Sequence, residues 1–142
     1  MYWLCITNSE NWEVTRRELV WGVSERHRRT LAKVKKGDFL VFYKVMEVSG
    51  DEVSPPQVVG AFRAASSPFY DAKRIFKGDL YPHRVRVEPY VVPEKPVNFR
   101  DLIPKLEFIK NKRRWHTHLF GRAMRQIPER DFELILEALR GA

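Results

Sequence analysis

"YWLCITNSENWEV", residues 2 to 14, changes character at Asn8, and that change sets the fold class. Residues 2 to 7 form a continuous apolar run rich in strand formers, which predicts a buried first strand. Asn8 and Ser9 then offer side-chain oxygens suited to capping a short helix through about Leu19. Cys5, the only cysteine, sits inside the apolar run and reads as a small buried hydrophobe. Alone, it makes neither an internal disulfide nor a thiolate metal cluster.

Working outward, "VWGV" (20 to 23) precedes Ser24, a cap for a second helix with His27, Leu31 and Val34 inward and Arg26, Arg29 and Lys33 on a largely opposite face. "KKGD" is a turn, "FLVFYKVM" (39 to 46) a second strand, and 47 to 56 a polar hairpin connection. "QVVGAFRAAS" (57 to 66) returns as a third strand, and 67 to 76 combines turn chemistry with a short helical turn. In "HRVRVEPYVV" (83 to 92), Val85 and Val87 alternate with Arg84, Arg86 and Glu88, predicting one buried and one wet face. A short helix is expected near "NFRDLIPKL". The chain closes on a helix with Phe132, Ile135, Leu136 and Leu139 at helical spacing and Pro128 in its first turn. Strands with short helices in their connections imply an α+β protein, a small barrel or strongly curved sheet.

At 142 residues and 44% hydrophobic content the chain is the size of one domain, 1 to 142. It holds no apolar run of membrane-spanning length, and its start has neither a basic n-region nor a small-residue cleavage site, so a cytoplasmic location is expected. The net charge of +8 is unevenly spread. "SERHRRTLAKVKK" (24 to 36) carries +5, and 110 to 125 carries +6 with no acidic residue, which leaves the other 113 residues at −3. Two concentrated basic segments are the footprint of a surface that neutralises phosphates, provided the fold brings them together.

The usual catalytic signatures are absent: no P-loop, no dinucleotide-binding glycines, no Gly-x-Ser-x-Gly elbow and no Cys or His set at zinc spacing. His116 and His118 lack a third metal ligand and are expected to face phosphates or make ordinary hydrogen bonds. Neither a cofactor nor catalysis is expected. Trp21, followed by a glycine that permits close approach, is a candidate platform for a flipped or single-stranded base, with Phe69 or Tyr70 as a second wall. Trp3 is assigned to the core, and Asn111 and Trp115 to bracing their loop.

Together "YWLCITNSENWEV", "VWGV", "KKGD", "VVGAF", "FIKNKRRWHTHLFG" and "AMRQIPERDFELI" resemble an archaeal-type EVE domain of the PUA-like superfamily over essentially the whole chain. The EVE domain is in turn similar to the YTH domain, which binds N6-methyladenine in RNA through an aromatic cage. The YTH pattern of a tyrosine-led strand, two asparagines and a "VW" is matched by Tyr2, by Asn8 and Asn11, and by Val20 and Trp21. The resemblance implies that Trp21 is the first cage wall, Asn11 a hydrogen-bonder of the base edge, Asn8 a polar pocket group and the Gly22 main chain the acceptor for the exocyclic amine. Glycine stands here where the YTH pattern has serine. Arg122, after Gly121, resembles the Gly-Arg pair of a YTH loop.

The expectation is therefore a non-catalytic module, taken as a monomer, whose partner is RNA or DNA carrying one modified, methylated base. Arg26, Arg29, Lys33, Lys110, Arg113, Arg114 and Arg122 are the candidate phosphate contacts. The main alternative is a PUA-like accessory protein that recognises RNA shape without a modified base. An enzyme acting on a flipped base and a small-molecule sensor are the others.

Overall fold

The computed structural model describes all 142 residues. In chain order the elements are β1 (Tyr2–Thr7), α1 (Ser9–Glu18), β2 (Val20–Val23), a 3₁₀ turn at Glu25–His27 running into α2 (Arg28–Leu31), and β3 (Phe39–Lys44). A hairpin of β4 (Glu47–Ser49) and β5 (Glu52–Ser54) follows, then β6 (Gln57–Ala64), β7 (Phe69–Tyr70), β8 (His83–Val91) and β9 (Val97–Asn98). Three 3₁₀ turns lead to β10 (Met124–Ile127) and α3 (Glu129–Arg140).

The main sheet has the order β10-β1-β3-β6-β8-β2, with β7 also on β8 and β9 also on β6. Only the β1–β3 pairing is parallel, and the segment holding α1, β2 and α2 is its crossover. The result is an α+β fold with a curled, mixed half-barrel sheet. Side-chain alternation gives that sheet two apolar faces. Trp3, Cys5, Leu40 and Phe42 point inward, where Trp12, Trp21 and Leu31 join them. Leu4, Val41 and Tyr43 point outward, under Phe132, Ile135 and Leu139 of α3 and the 99 to 109 segment. Burying each such side chain contributes about 1.5–3 kcal/mol, so both layers are needed to hold the sheet curled.

The first boundary falls where the sequence places it. Asn8 Oδ1 accepts the Asn11 N–H at 2.8 Å, and Leu19 ends α1 in the left-handed region at φ 55°. The second helix is shorter than its apolar stripe predicts: α2 stops at Leu31, Ser24 makes no side-chain cap bond, and Leu31 and Val34 are buried with His27 half-buried. "VWGV" is a strand, held by β8 rather than by its helical neighbours. Residues 67 to 76 hold the two-residue strand β7 and no helical turn.

Arg84 corrects the expected wet face of β8. Only 1% exposed, it donates through Nε to Tyr81 C=O (2.9 Å) and through Nη2 to Lys73 C=O (2.6 Å) and Leu80 C=O (3.0 Å), with Nη1 3.5 Å from Asp71. Burial pulls its pKa below the usual guanidinium value, opposed by Asp71. The guanidinium ties the 71 to 82 loop over the outer face of β8, so alternation predicts its direction and the loop supplies its burial.

Candidate nucleic-acid interface

The two basic segments meet. α2 packs against β10, and Leu31, Val34 and Met124 belong to one apolar cluster. Arg26, Arg29, Lys33, Lys110, Arg113, Arg114 and Arg122 are all exposed, and none takes part in an ion pair or a side-chain hydrogen bond. Arg28, in the same segment, is different: it lies 3.1 Å from Glu25. These seven unneutralised cations stand on two segments that touch through Leu31, Val34 and Met124, and charge concentrated in this way attracts polyanions.

The loop carrying most of them is braced from within. Asn111 N–H donates to His118 Nε2 (3.0 Å), Asn111 Oδ1 accepts the Arg114 N–H (3.0 Å), Thr117 Oγ1 donates to Arg114 C=O (2.7 Å), and the Lys112 ammonium donates to Leu106 C=O. Trp115 packs on Phe99 at 5.6 Å. Asn111 and Trp115 are thus placed as the expected braces, which hold Arg113 and Arg114 outward on an ordered turn.

Residues 115 to 118 are a 3₁₀ turn rather than an extended segment, so His116 and His118 face different clefts. A cleft of about 610 Å³ is lined by Lys110, His118 and Arg125 among others. Arg125 stacks 4.8 Å from the Phe108 ring and donates to His118 C=O at 3.2 Å. Burial lowers its pKa, and neighbouring Arg122 lowers it further, against Asp131. The other cleft, about 270 Å³, is walled by Tyr43, Trp115 and Phe120 and edged by His116 and Arg122. Burial pushes the Tyr43 hydroxyl up to about 12, with Arg100 pulling the other way. Arg125, Tyr43 and Phe120 escaped the sequence reading. The one signal for Phe120 was its place before Gly121 in a loop rich in cations.

The expected base pocket is only partly assembled. Trp21 is 4% exposed and lies inside the half-barrel, edge-on to Phe42 at 5.4 Å. Its Nε1 is buried without a hydrogen-bond partner. Register separates it from Phe69: Trp21 opposes Val85, whereas Gly22, Arg84 and Phe69 align across β2, β8 and β7. Phe69 therefore projects from the opposite face, where Arg86 lies 5.4 Å from its ring, and cannot be the wall facing Trp21. Tyr70 shares the Trp21 face but stands in water, 64% exposed, against His83.

The remaining pocket residues are arranged around two backbones. Asn8 Oδ1 is committed to the α1 cap, and Asn11 is half-buried with no side-chain hydrogen bond. Val87 N–H bonds to Leu19 C=O (3.0 Å) and Ala65 N–H to Arg86 C=O (2.7 Å). In the alternating ladder these bonds make Trp21 and Val23 the positions joined to β8 and turn the Gly22 N–H and C=O to the free edge of β2. A Cβ at Gly22 would lie 2.7 Å from the Tyr81 carbonyl oxygen and 3.1 Å from the Phe76 ring. Close packing of the 71 to 82 loop thus accounts for glycine where the YTH pattern has serine.

Comparison with known proteins agrees with this architecture. The EVE domain profile matches residues 1–138. A UPF0310 protein of Pyrococcus abyssi is 51% identical over 138 residues, covering 94% of this chain and 96% of its own. The DUF55 domain of human thymocyte nuclear protein 1 superposes with a TM-score of 0.67 at 12% identity, covering 98% of each chain. The YTH domain of the Zygosaccharomyces rouxii MRB1 protein, in complex with N6-methyladenosine RNA, superposes with a TM-score of 0.59 at 15% identity, covering 97% of this chain and 86% of its own. No helix is long and apolar enough to cross a membrane.

Proposed function

The chain belongs to the EVE-domain family, and from that premise we propose that it is a non-catalytic nucleic-acid-binding module that takes up one modified base of a single strand. The observation that carries this proposal is the meeting of two basic segments whose seven cations have no protein partner. Phosphate contacts of this kind position a strand without reading it.

Reading is assigned to the edge of β2. There the Gly22 backbone presents a donor and an acceptor on a strand packed against α1, the helix that carries the half-buried Asn11, and the Trp21 indole N–H has no acceptor of its own. A buried N–H without a partner costs about 1–3 kcal/mol, a cost that an acceptor on a bound base removes. The YTH relative in complex with N6-methyladenosine RNA supports the choice of a modified base as ligand. Extruding a base from a duplex costs a few kcal/mol, which favours single-stranded substrates.

One observation favours the alternative, a module that recognises RNA shape: Trp21 is closed off in this structure, so a base reaches it only if its covering side chains move. The test is anisotropy with five-nucleotide RNA and DNA strands, with and without N6-methyladenine or 5-methylcytosine at the centre, over a series of salt concentrations. The expected log–log slope has a magnitude on the order of 2 to 3, at about 0.7 for each contacted phosphate of a single strand, with tighter binding of a modified strand. A slope near zero removes nucleic acid from the proposal, and a steep slope without preference for modification leaves the shape-only module.

A further inference from the structure

The cleft between Trp115 and Phe120 lies on the opposite face of the sheet from Trp21. Tyr43 and Ile6, in its wall, point outward from β3 and β1, whereas their neighbours Phe42 and Cys5 point inward to the Trp21 cluster. Phe120 is 87% exposed, far more than any other aromatic side chain here. It is held there by its neighbours: Leu119 is buried beneath it, and Gly121 turns the chain at φ 76°. A large apolar ring kept in water on a braced loop is unexplained by packing.

Its surroundings define what fits. The cleft, about 270 Å³, is smaller than the roughly 300–1,000 Å³ typical of drug-sized ligand sites. Tyr43, Trp115 and Phe120 offer aromatic surface, His116 and Arg122 stand at the edge, and no acidic side chain lines it. A flat, largely apolar ring attached to an anion matches that chemistry, and a nucleotide of a single strand is such a group.

The cleft also reaches the start of α1, the helix that carries Asn11 of the proposed reading site. Val45 N–H donates to Thr7 C=O and Ile6 N–H to Ala123 C=O, both at 2.9 Å, so its rim lies beside the Thr7–Asn8 start of α1. We propose that Phe120, with Trp115 and Tyr43, seats a second, unmodified base of the same strand, flanking the base that is read, and that Arg122 holds the phosphate between them. This rests on the nucleic-acid reading above.

The test compares wild type, Phe120→Ala and Phe120→Tyr against two five-nucleotide RNAs, carrying N6-methyladenine or 5-methylcytosine at the centre, their unmodified counterparts, and the free modified nucleosides. Phe120→Ala is expected to melt with wild type, because the ring contacts little. It should bind every pentamer about 5- to 150-fold more weakly, the usual loss when one stacked base loses its platform. Its preference for the modified strand and its binding of free nucleosides should be unchanged, and Phe120→Tyr should bind as wild type does. Unchanged pentamer binding by Phe120→Ala overturns the second seat and leaves the ring as a surface for a protein partner. Loss of the preference for modification also overturns it, by making this cleft the reading site. Failure of wild type to bind any strand is a different result, and it removes the underlying nucleic-acid reading as well.

Discussion

Replacing Trp21 with phenylalanine separates a core role from a reading role better than truncation does. Trp21→Ala deletes a side chain that is 4% exposed and packed against Phe42, and a loss of about 3–5 kcal/mol of stability is expected whatever else the residue does. Phenylalanine keeps an aromatic ring against Phe42 and removes the indole N–H, which is buried without a partner. Two effects then oppose each other. The smaller ring leaves a void worth about 1–3 kcal/mol by analogy with partial core truncations, and the lost N–H returns about 1–3 kcal/mol that was spent on its desolvation. Trp21→Phe is therefore expected to stay within about 2 kcal/mol of wild type, a melting shift of no more than about 7 °C for a chain of this size. Affinity for the modified pentamer should meanwhile fall toward that for the unmodified one, with the salt slope preserved. Urea unfolding followed by circular dichroism, alongside anisotropy, measures both. A loss of 3 kcal/mol or more would refute the assignment of an unpaired N–H, since it would mean that the indole has a partner in solution. Unchanged stability with unchanged preference would show that no base reaches Trp21.

Reversing the charge of Arg113 and Arg114 should weaken binding to modified and unmodified strands alike and flatten the salt slope, because phosphate contacts carry no base information; a change in preference at constant slope would contradict their assignment. Arg84→Met should release the 71 to 82 loop by stranding the carbonyls of Lys73, Leu80 and Tyr81, seen as faster hydrogen exchange there, and protection equal to wild type would contradict the tether. Asp38 predicts acid sensitivity: burial works to raise its pKa, but hydrogen bonds from the Lys35 N–H, the Trp3 indole and the Met1 ammonium outweigh it, and the net direction is downward. A carboxylate lowered in the folded state contributes stability that is full above its unfolded value, 3.8, and is lost as pH falls through the folded one. Urea midpoints should therefore drop below about pH 4 more steeply in wild type than in Asp38→Asn, and parallel curves would exclude Asp38 as the source.

What the sequence made legible was local, and what it hid depended on partners far along the chain. The β1–α1 boundary is visible because Asn8 caps its own helix three residues on, and α3 is visible because its apolar stripe repeats within twelve residues. "VWGV" passed unrecognised as a strand because its four residues gain that identity only from β8, some sixty residues later. The same distance hid the fate of the cage. Trp21 and Phe69 are both aromatic and both near a turn, but only the alignment of Gly22, Arg84 and Phe69 across three strands shows that they leave the sheet on opposite faces. Phe120 was hidden for the converse reason: a phenylalanine between Leu119 and Gly121 reads as core until the burial of Leu119 and the left-handed turn at Gly121 place its ring in water. Composition and spacing thus sufficed to locate the two segments where positive charge is concentrated. Which ring can meet a base is set by the face of the curled sheet it leaves from: Trp21 packs on the inner face against Phe42, the cleft of Tyr43, Trp115 and Phe120 opens on the outer one, and the two proposed seats therefore stand on opposite faces of β3.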